Sequence, residues 1–309
     1  MGAKDHSEKL LEDYEDVFAD IVNVLAFQGE RLLQEENILP GPTESIYKDE
    51  QEELRQQIRD VLKYDRDEKT TFSVIGLENQ STVNREMVFR VMKYDAVSYQ
   101  NQIDSREDRH YPVFTLVLHF GMEHWNAPKT IVEALALDEI PYGKYIPGLL
   151  TDAKLNVIEV AFLTEEVRKQ FTSDFRIVAD YFCAAREGDE VAFLKDERAF
   201  KHVEAMLDFF ATFTSDKRYQ EYKKPLLEEQ EKGVEISMCK LLDYAEGKGM
   251  ERGMERGMER GMERGMEQGM KKMAMEMLKN HEPYEKIARY AQVSVETVKA
   301  WAEDACCKV

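Results

Sequence analysis

The stretch IRDVLKYDRDEKTTFSVIGLENQ, residues 58–80, decides the fold class of this chain. It contains two runs rich in β-branched and aromatic residues, 58–64 and 70–80, with a polar cluster at 65–68 between them. Runs of this composition joined by a short polar cluster are typical of two strands connected by a turn. The stretch therefore predicts a pair of neighbouring strands.

Polar residues lie at the end of the second of these strands. Side chains alternate between the two faces of a strand, so Glu78 and Gln80 share a face with Val74. Asp60 lies on the preceding strand and comes near Glu78 if the two strands pair as a hairpin. Two carboxylates on adjacent strands suit a hard cation such as Mg²⁺ or Mn²⁺. The residues alone leave a commoner alternative open, which is that these acids are solvated surface charges.

The patterns on either side of the strand pair predict the rest of the fold. Apolar residues at helical spacing predict helices over 8–27 and 84–102, and again from about 165 to 231. Continuous apolar runs predict buried strands over 111–120 and 155–163. This order predicts an α/β fold, with a mixed β-sheet flanked by helices and a helical C-terminal extension.

The extension begins with a tandem repeat, GMERGMERGMERGMERGMEQGM, at residues 249–270. In a helix, four residues advance by about 400°, so the methionines and the glycines each form a slowly rotating stripe. Each interior glycine costs about 1 kcal/mol, so the helix is marginal by itself and would gain from packing against a partner. We expect a homo-oligomer through this C-terminal helix; a repeat-expanded linker without a specific partner is the open alternative.

The last residues, 281–304, have the spacing of a helix-turn-helix core. Ser294 is placed to cap the second of two short helices, which includes Val298 and Trp301. That helix also carries Glu296, Lys299, Glu303 and Asp304, whereas a helix that reads a DNA groove should be neutral or basic. The sequence therefore favours packing or oligomerisation for this module over DNA readout.

Charge bears directly on any nucleic-acid function. The formal net charge is −19, and residues 1–60 alone contain 16 acidic and 6 basic residues, a net −10. Such a surface repels a polyanion, so DNA binding requires a local cation or a metal ion. No apolar run approaches the ~18 residues of a membrane span, and the four cysteines form no CxxC pair. These features predict a cytoplasmic protein with free thiols and no membrane segment.

Five blocks of the chain resemble the Rpn family of recombination-promoting nucleases, transposase-like proteins with a YhgA-like domain. They are RDVLK (59–63), GLENQ (76–80), RVMKYD (90–95), YPVFTLVLHFGMEHW (111–125) and SDFRIVADY (173–181). The resemblance covers roughly residues 14–225, and the GMER-type repeat is similar to the C-termini of the family. It implies a PD-(D/E)xK nuclease core, in which a mixed sheet lies between helices, and Mg²⁺-dependent DNA cleavage.

Carried over to this chain, the resemblance makes Asp60 and Glu78 metal ligands and places Gln80 where the superfamily usually has lysine. Glutamine can hydrogen-bond a water molecule but supplies no positive charge. Arg90 is a candidate for the missing cation, with a surface salt bridge as an equal alternative. Asp20 is a candidate supplementary acid, with a solvated charge at the helix edge as the alternative. Lys63 faces the other way on a regular strand.

These inferences combine into one functional hypothesis. The chain is predicted to be a metal-dependent DNA endonuclease associated with recombination or mobile elements, with Asp60, Glu78, Gln80 and Arg90 at its catalytic site. The alternative is a weak or inactive nuclease-fold protein that acts through oligomerisation and partner binding. The predicted domains are a nuclease-like α/β domain at 1–230, a helical repeat segment at 231–280 and a small helix-turn-helix-like module at 281–309.

Overall fold

The structure is a computed structural model that divides the chain into two compact units, Met1–Leu242 and Asp243–Val309. The residues it describes are 11–42, 44–48, 54–58, 60–67, 70–106, 109–189, 196–214, 216 and 218–306.

Among the described residues, the first unit begins with one helix and five consecutive strands, alternates between helix and strand from α2 to β7, and ends in consecutive helices. In chain order they are α1 (Glu15–Leu25), β1 (Ile38–Pro40), β2 (Glu44–Lys48), β3 (Leu54–Ile58), β4 (Val61–Arg66), β5 (Thr71–Gln80), α2 (Met87–Asp104), β6 (Val113–His119), α3 (Ile131–Ala134), β7 (Asn156–Glu159), α4 (Glu165–Arg168), α5 (Phe175–Glu187), α6 (Val203–Phe213) and α7 (Arg218–Glu231). Helix α8 (Met238–Lys279) begins in the first unit, and α9 (Tyr284–Ala291) and α10 (Val295–Cys306) follow in the second.

The main sheet has five strands in the order β1-β4-β5-β6-β7. Strands β1, β4 and β5 are antiparallel neighbours, whereas β5, β6 and β7 run parallel. Strands β2 and β3 form a separate antiparallel pair. The predicted α/β class, with a mixed sheet flanked by helices and a helical C-terminal region, is therefore confirmed.

Helices cover both faces of this sheet. On one face, Val88 and Val91 of α2 belong to the same buried cluster as Val117 of β6. Side chains alternate along β6, so Phe120 points to the opposite face, where its ring centroid lies 4.9 Å from that of Phe182 on α5. The β5 strand is buried from Ser73 to Asn79, as expected for the centre of a sheet covered on both sides.

Two predicted strand boundaries are wrong. Strand β3 ends at Ile58 and β4 begins at Val61, so the predicted strand over 58–64 belongs to two different strands, and Asp60 lies between them. The predicted strand over 155–163 ends at Glu159, after which the chain forms a 3₁₀ turn over Val160–Phe162. A hydrophobic run shows burial but not backbone geometry, and here the buried run continues from a strand into a helical turn. Residues 59, 68 and 69 lie outside the described part.

The second unit has a core of its own. Ala274 on α8, Ile287 and Ala291 on α9 and Val298 on α10 are buried together. Gln292 ends α9 in the left-handed region, with φ at 54°, where a glycine is common in such turns. The Ser294 hydroxyl accepts a hydrogen bond from the backbone N–H of Thr297 at 3.1 Å. The predicted pair of short helices is present, while the predicted boundaries of the three domains stay predictions.

A helix that spans a membrane needs about 20 predominantly apolar residues. Within the described residues, no helix combines enough length with enough apolar character to cross a membrane.

Candidate active site

The candidate site is built where β4 begins and β5 ends. Val61 pairs with Leu77, and continuing this register places Asp60 directly opposite Glu78. The Asp60 backbone N–H lies 3.4 Å from Glu78 Oε1, and the Asn79 backbone N–H donates to Asp60 Oδ2 at 2.9 Å. Both carboxylates are almost fully buried, with Asp60 3% and Glu78 0% exposed. The alternative of solvated surface acids is therefore wrong.

Arg90 joins this pair from helix α2. Its Nη2 donates to Glu78 Oε2 at 2.9 Å, and its Nε donates to the Tyr94 hydroxyl at 2.9 Å. The guanidinium also lies over the Tyr94 ring, 5.6 Å from the centroid. Arg90 thus forms a salt bridge, but its partner is the buried candidate ligand rather than a surface acid.

A third carboxylate, Glu12, was missed by the sequence reasoning. It precedes α1, is only 1% exposed, and accepts a hydrogen bond at Oε2 from Asn79 Nδ2 at 2.8 Å. Glu12 Oε1 and Asn79 Oδ1 are buried and have no hydrogen-bond partner among the described residues. Nothing in the local sequence distinguishes Glu12 from the other 15 acids in residues 1–60; only the packing of the N-terminal segment against the sheet brings it here.

Burial and mutual repulsion set the electrostatics of this cluster. Burial raises the pKa of Glu12 well above its usual value; the hydrogen bond from Asn79 lowers it, and the charges of Asp60 and Glu78 raise it further. Burial also raises the pKa of the Tyr94 hydroxyl, and the charge of Glu78 adds to that increase. Burial lowers the pKa of Arg90, but the attraction of Glu78 and the contact with Tyr94 outweigh it, so the pKa is raised and the guanidinium stays charged.

Gln80 is the last residue of β5 and is half-buried. Alternation along β5 puts its side chain on the same face as Glu78, and its Nε2 donates to the Asn79 carbonyl at 2.7 Å. The backbone carbonyl oxygen of Gln80 lies 3.1 Å from Nδ1 of the buried His119. The other ring nitrogen of His119, Nε2, lies 3.0 Å from the backbone carbonyl oxygen of Glu123. A Cβ on Gly121 would lie 2.5 Å from the His119 ring, so a glycine is required there for this ring to pack. His119 therefore supports the end of β5.

Two further charged residues have structural partners away from Asp60 and Glu78. Lys63 is 2% exposed, and its Nζ donates to the Asp13 carbonyl at 2.7 Å on the opposite side of the sheet from Glu78. Asp20 is 3% exposed and accepts the backbone N–H groups of Thr172 and Ser173 at 2.8 Å each, and it pairs with Arg31. The proposal that Asp20 is a solvated helix-edge charge is wrong, because it tethers α1 to the segment before α5.

The structure thus brings Asp60, Glu78 and Arg90 into contact and places Gln80 beside them. Glu12 feels the charges of Asp60 and Glu78, but its carboxylate bonds to Asn79, whose side chain points to the other face of β5. Two carboxylates and a cation can bind a divalent ion or hold a proton. The catalytic roles assigned to these side chains stay predictions.

Comparison with known proteins gives the family. The family model described as "Putative transposase, YhgA-like" matches residues 41–197, which are 157 of the 309 residues. The match includes Asp60, Glu78, Gln80 and Arg90, and it excludes Glu12 and the second unit. No curated protein and no solved structure matches the chain. Because the family model covers half of the sequence, the chain belongs to the family of YhgA-like transposase-like proteins.

Proposed function

We propose that this protein is a metal-dependent DNA endonuclease that hydrolyses phosphodiester bonds in recombination or in the movement of genetic elements, with Mg²⁺ or Mn²⁺ held by Asp60 and Glu78. The observation that carries the proposal is the juxtaposition of Asp60 and Glu78, which lie opposite each other where β4 begins and β5 ends. Both are more than nine-tenths buried, and burying two like charges side by side is costly unless a cation accompanies them. Membership of a transposase-like family supports DNA as the substrate and the cytoplasm as the location.

The residues fit a magnesium site with few protein ligands. Among the described residues, no group of three or more His, Cys, Asp or Glu side chains is arranged to hold a metal ion. Mg²⁺ commonly uses one or two carboxylates and completes its shell with water and substrate phosphate, so two carboxylates suffice.

The side chains around the pair have separable tasks in this proposal. The Asn79 backbone N–H orients Asp60, and Arg90 both orients Glu78 and offers a guanidinium beside the phosphate. Gln80 can hydrogen-bond an attacking water through its amide but cannot offset negative charge. A bound divalent cation would supply the remaining chemistry by activating water and stabilising charge on the phosphate. The cation and Arg90 would also supply the local positive charge that DNA binding requires on a chain with a net charge of −19.

Plasmid nicking by the intact chain tests this function. We expect nicking with Mg²⁺ or Mn²⁺ and none with EDTA. Asp60→Asn and Glu78→Gln should each reduce the rate by at least about 100-fold, because each removes a charged ligand. Asp65→Asn, on β4 a few residues after Asp60, is the matched control and should nick at the wild-type rate. Equal rates in all four proteins would assign the activity to another site or to a contaminant.

The exposed repeat supports a second function, assembly without catalysis. Met250, Met254 and Met258 on α8 are 72%, 64% and 65% exposed, and Met is well suited to adaptable packing. In this alternative the nuclease fold is retained, but catalysis is lost because Gln80 stands where the superfamily usually has lysine. Helix α8 then drives homo-oligomerisation. Sedimentation of the intact chain against a chain that ends at residue 244 tests it. Equal subunit numbers for the two proteins would exclude oligomerisation through α8.

A further inference from the structure

Three side chains stack on one another at the edge of the main sheet where β6 and β7 end. The His124 ring lies on the Phe162 ring, with the centroids 3.8 Å apart and the planes 28° from parallel. The Arg186 guanidinium lies over the same Phe162 ring, 4.7 Å from its centroid. His124 follows β6, Phe162 ends the 3₁₀ turn after β7, and Arg186 is in the last turn of α5. We call these three residues the ring stack.

A carboxylate fixes the orientation of His124. His124 Nδ1 lies 3.1 Å from Glu159 Oε1, and the same oxygen accepts a hydrogen bond from the backbone N–H of Trp125 at 2.6 Å. Burial raises the pKa of Glu159, but these contacts outweigh it, so the pKa is lowered and Glu159 stays charged. The imidazole is therefore held with one edge on Glu159 and one face on Phe162.

The other face of this imidazole is open. The His124 side chain is 71% exposed, although Phe162 covers one of its faces. Because the ring is already held in place, little further side-chain freedom is lost when a second ring stacks on it. Histidine is one of the side chains on which the unstacked bases of a nucleic acid strand stack. The open face of His124 thus suits a planar ring.

Strand register places the ring stack beside the two buried acids. Gln80 pairs with His119, which pairs with Glu159, so the Glu159 side chain points to the same face of the sheet as Glu78. With ~4.8 Å between strands and a rise of ~3.3 Å per residue, the Glu159 Cα lies about 12 Å from the Glu78 Cα. This distance spans about three to four stacked nucleotides at ~3.4 Å each. A strand with a phosphate at the acid pair therefore reaches His124 with a nearby base.

The charge of the chain favours stacking as the means of contact. At a net charge of −19, a broad electrostatic contact with phosphates is unfavourable. The ring stack adds little positive charge, because His124 faces Glu159 and Arg186 pairs with Glu187. Stacking needs no net positive charge, and every base has a face that can stack. In a duplex these faces are covered by neighbouring bases, whereas in a single strand they are accessible.

We propose that the open face of His124 binds an unpaired base of single-stranded DNA, a few nucleotides from the phosphate held at Asp60 and Glu78. Phe162 and Glu159 are positioning residues, since they hold the imidazole but do not touch the base. The inference rests on the proposed function for the substrate and the site of cleavage. The contact itself needs neither metal nor cleavage, so it is measured without them.

Fluorescence anisotropy in EDTA tests this contact in the intact chain. The probes are a labelled thymidine strand and a strand of equal length with the same phosphates but abasic sugars. We expect the wild type to bind the thymidine strand at least ~5-fold more tightly, because stacking on one aromatic side chain is worth about that factor or more. His124→Ala should lose this preference, and His124→Trp, which keeps a ring, should retain it. His110→Ala, exposed before β6 at the opposite end of that strand, is the matched control and should bind as the wild type does.

Several results would overturn the inference. Equal or undetectable binding of the two strands by the wild type would mean that no base is recognised. A preference that His124→Ala leaves intact would place the bases elsewhere, and a preference lost in both His124→Ala and His124→Trp would exclude stacking as its cause. Tighter binding of a uridine RNA strand, lost in His124→Ala, would make RNA the occupant. Failure of the nuclease proposal shows separately, as a lack of metal-dependent nicking by the wild type.

Discussion

The candidate site, where β4 begins and β5 ends, and the repeat helix α8 depart from ordinary burial in opposite directions. In the first region, Asp60 and Glu78 are charged and buried; in the second, Met250 and Met254 are apolar and exposed. Buried charges destabilise a fold unless a cation compensates them, and an exposed apolar surface forfeits the stabilisation that packing would add. The difference is that Arg90 already compensates Glu78 in part, whereas Met250 and Met254 remain 72% and 64% exposed. The proposed partners are accordingly a cation for the first region and another helix for the second.

The largest expected effect comes from removing the cation inside the first region. Arg90→Ala leaves Glu78 buried without its partner, and breaking a buried ion pair costs about 3–5 kcal/mol. Because the Arg90 side chain is 36% exposed, water can replace part of the contact, and we expect a loss of ~2–3 kcal/mol in the free energy of unfolding. Urea unfolding of the intact chain measures it. Arg85→Ala, an exposed neighbour, should change stability by less than ~0.5 kcal/mol.

A double variant sharpens this result. Glu78→Gln removes the buried charge, so adding it to Arg90→Ala should recover part of the lost stability. If Arg90→Ala is no more destabilising than Arg85→Ala, the Glu78–Arg90 pair contributes nothing to the free energy of unfolding. The claim that Arg90 compensates the buried Glu78 would then be wrong.

The next effect is a pH dependence that originates at Glu12. Because its pKa is raised in the folded chain, the stabilisation from its proton is complete below the pKa of an unfolded carboxyl and is lost as pH rises through the folded pKa. The amide of Glu12→Gln stays neutral at every pH, so the variant does not lose this stabilisation as pH rises. We therefore expect the Tm of the variant to exceed that of the wild type at pH 8, with the gap closing towards pH 4. Glu30→Gln, at an exposed position, should give no such divergence. Parallel Tm curves for Glu12→Gln and the wild type would contradict the expectation.

The smallest effect concerns the second region. A Cβ on Gly257 would meet nothing within 4 Å, so Gly257→Ala should stabilise α8 by at most about 1 kcal/mol through helix propensity alone. Circular dichroism at rising temperature measures the helicity. A gain in helicity together with loss of self-association would show that a partner helix approaches the glycines closely. A loss of helicity would mean that Gly257 is already packed, which would contradict the exposed state of the repeat.

The sequence predicted the elements whose pattern is periodic. The alternation of β5, the continuous run of β6 and the helical stripe of α2 each produced a correct element, and alternation alone paired Glu78 with Gln80. The limits of β4 and β7 were not predictable, because hydrophobic runs continue through changes of backbone geometry. Strands β2 and β3 were missed because ESIYK and LRQQI contain few apolar residues and no alternation.

Contacts between distant segments were the other limit. Glu12 reaches Asn79 across 67 positions, and Asp20 reaches Thr172 across 152. No local pattern marks either acid, since side-chain contacts at this separation depend on how whole helices pack. Sequence reasoning brought Asp60 and Glu78 together through the family resemblance and an assumed hairpin, although Asp60 itself lies just before β4.

Calorimetric titration of the intact, metal-free chain with Mn²⁺ tests the central claim most directly. If Asp60 and Glu78 hold a divalent cation, the wild type should bind Mn²⁺ with a saturable heat, and Asp60→Asn should bind at least ~10-fold more weakly, since it loses a charged oxygen ligand. Asp65→Asn should bind as the wild type does. Equal affinity of Asp60→Asn and the wild type, or no binding by the wild type, would contradict the account.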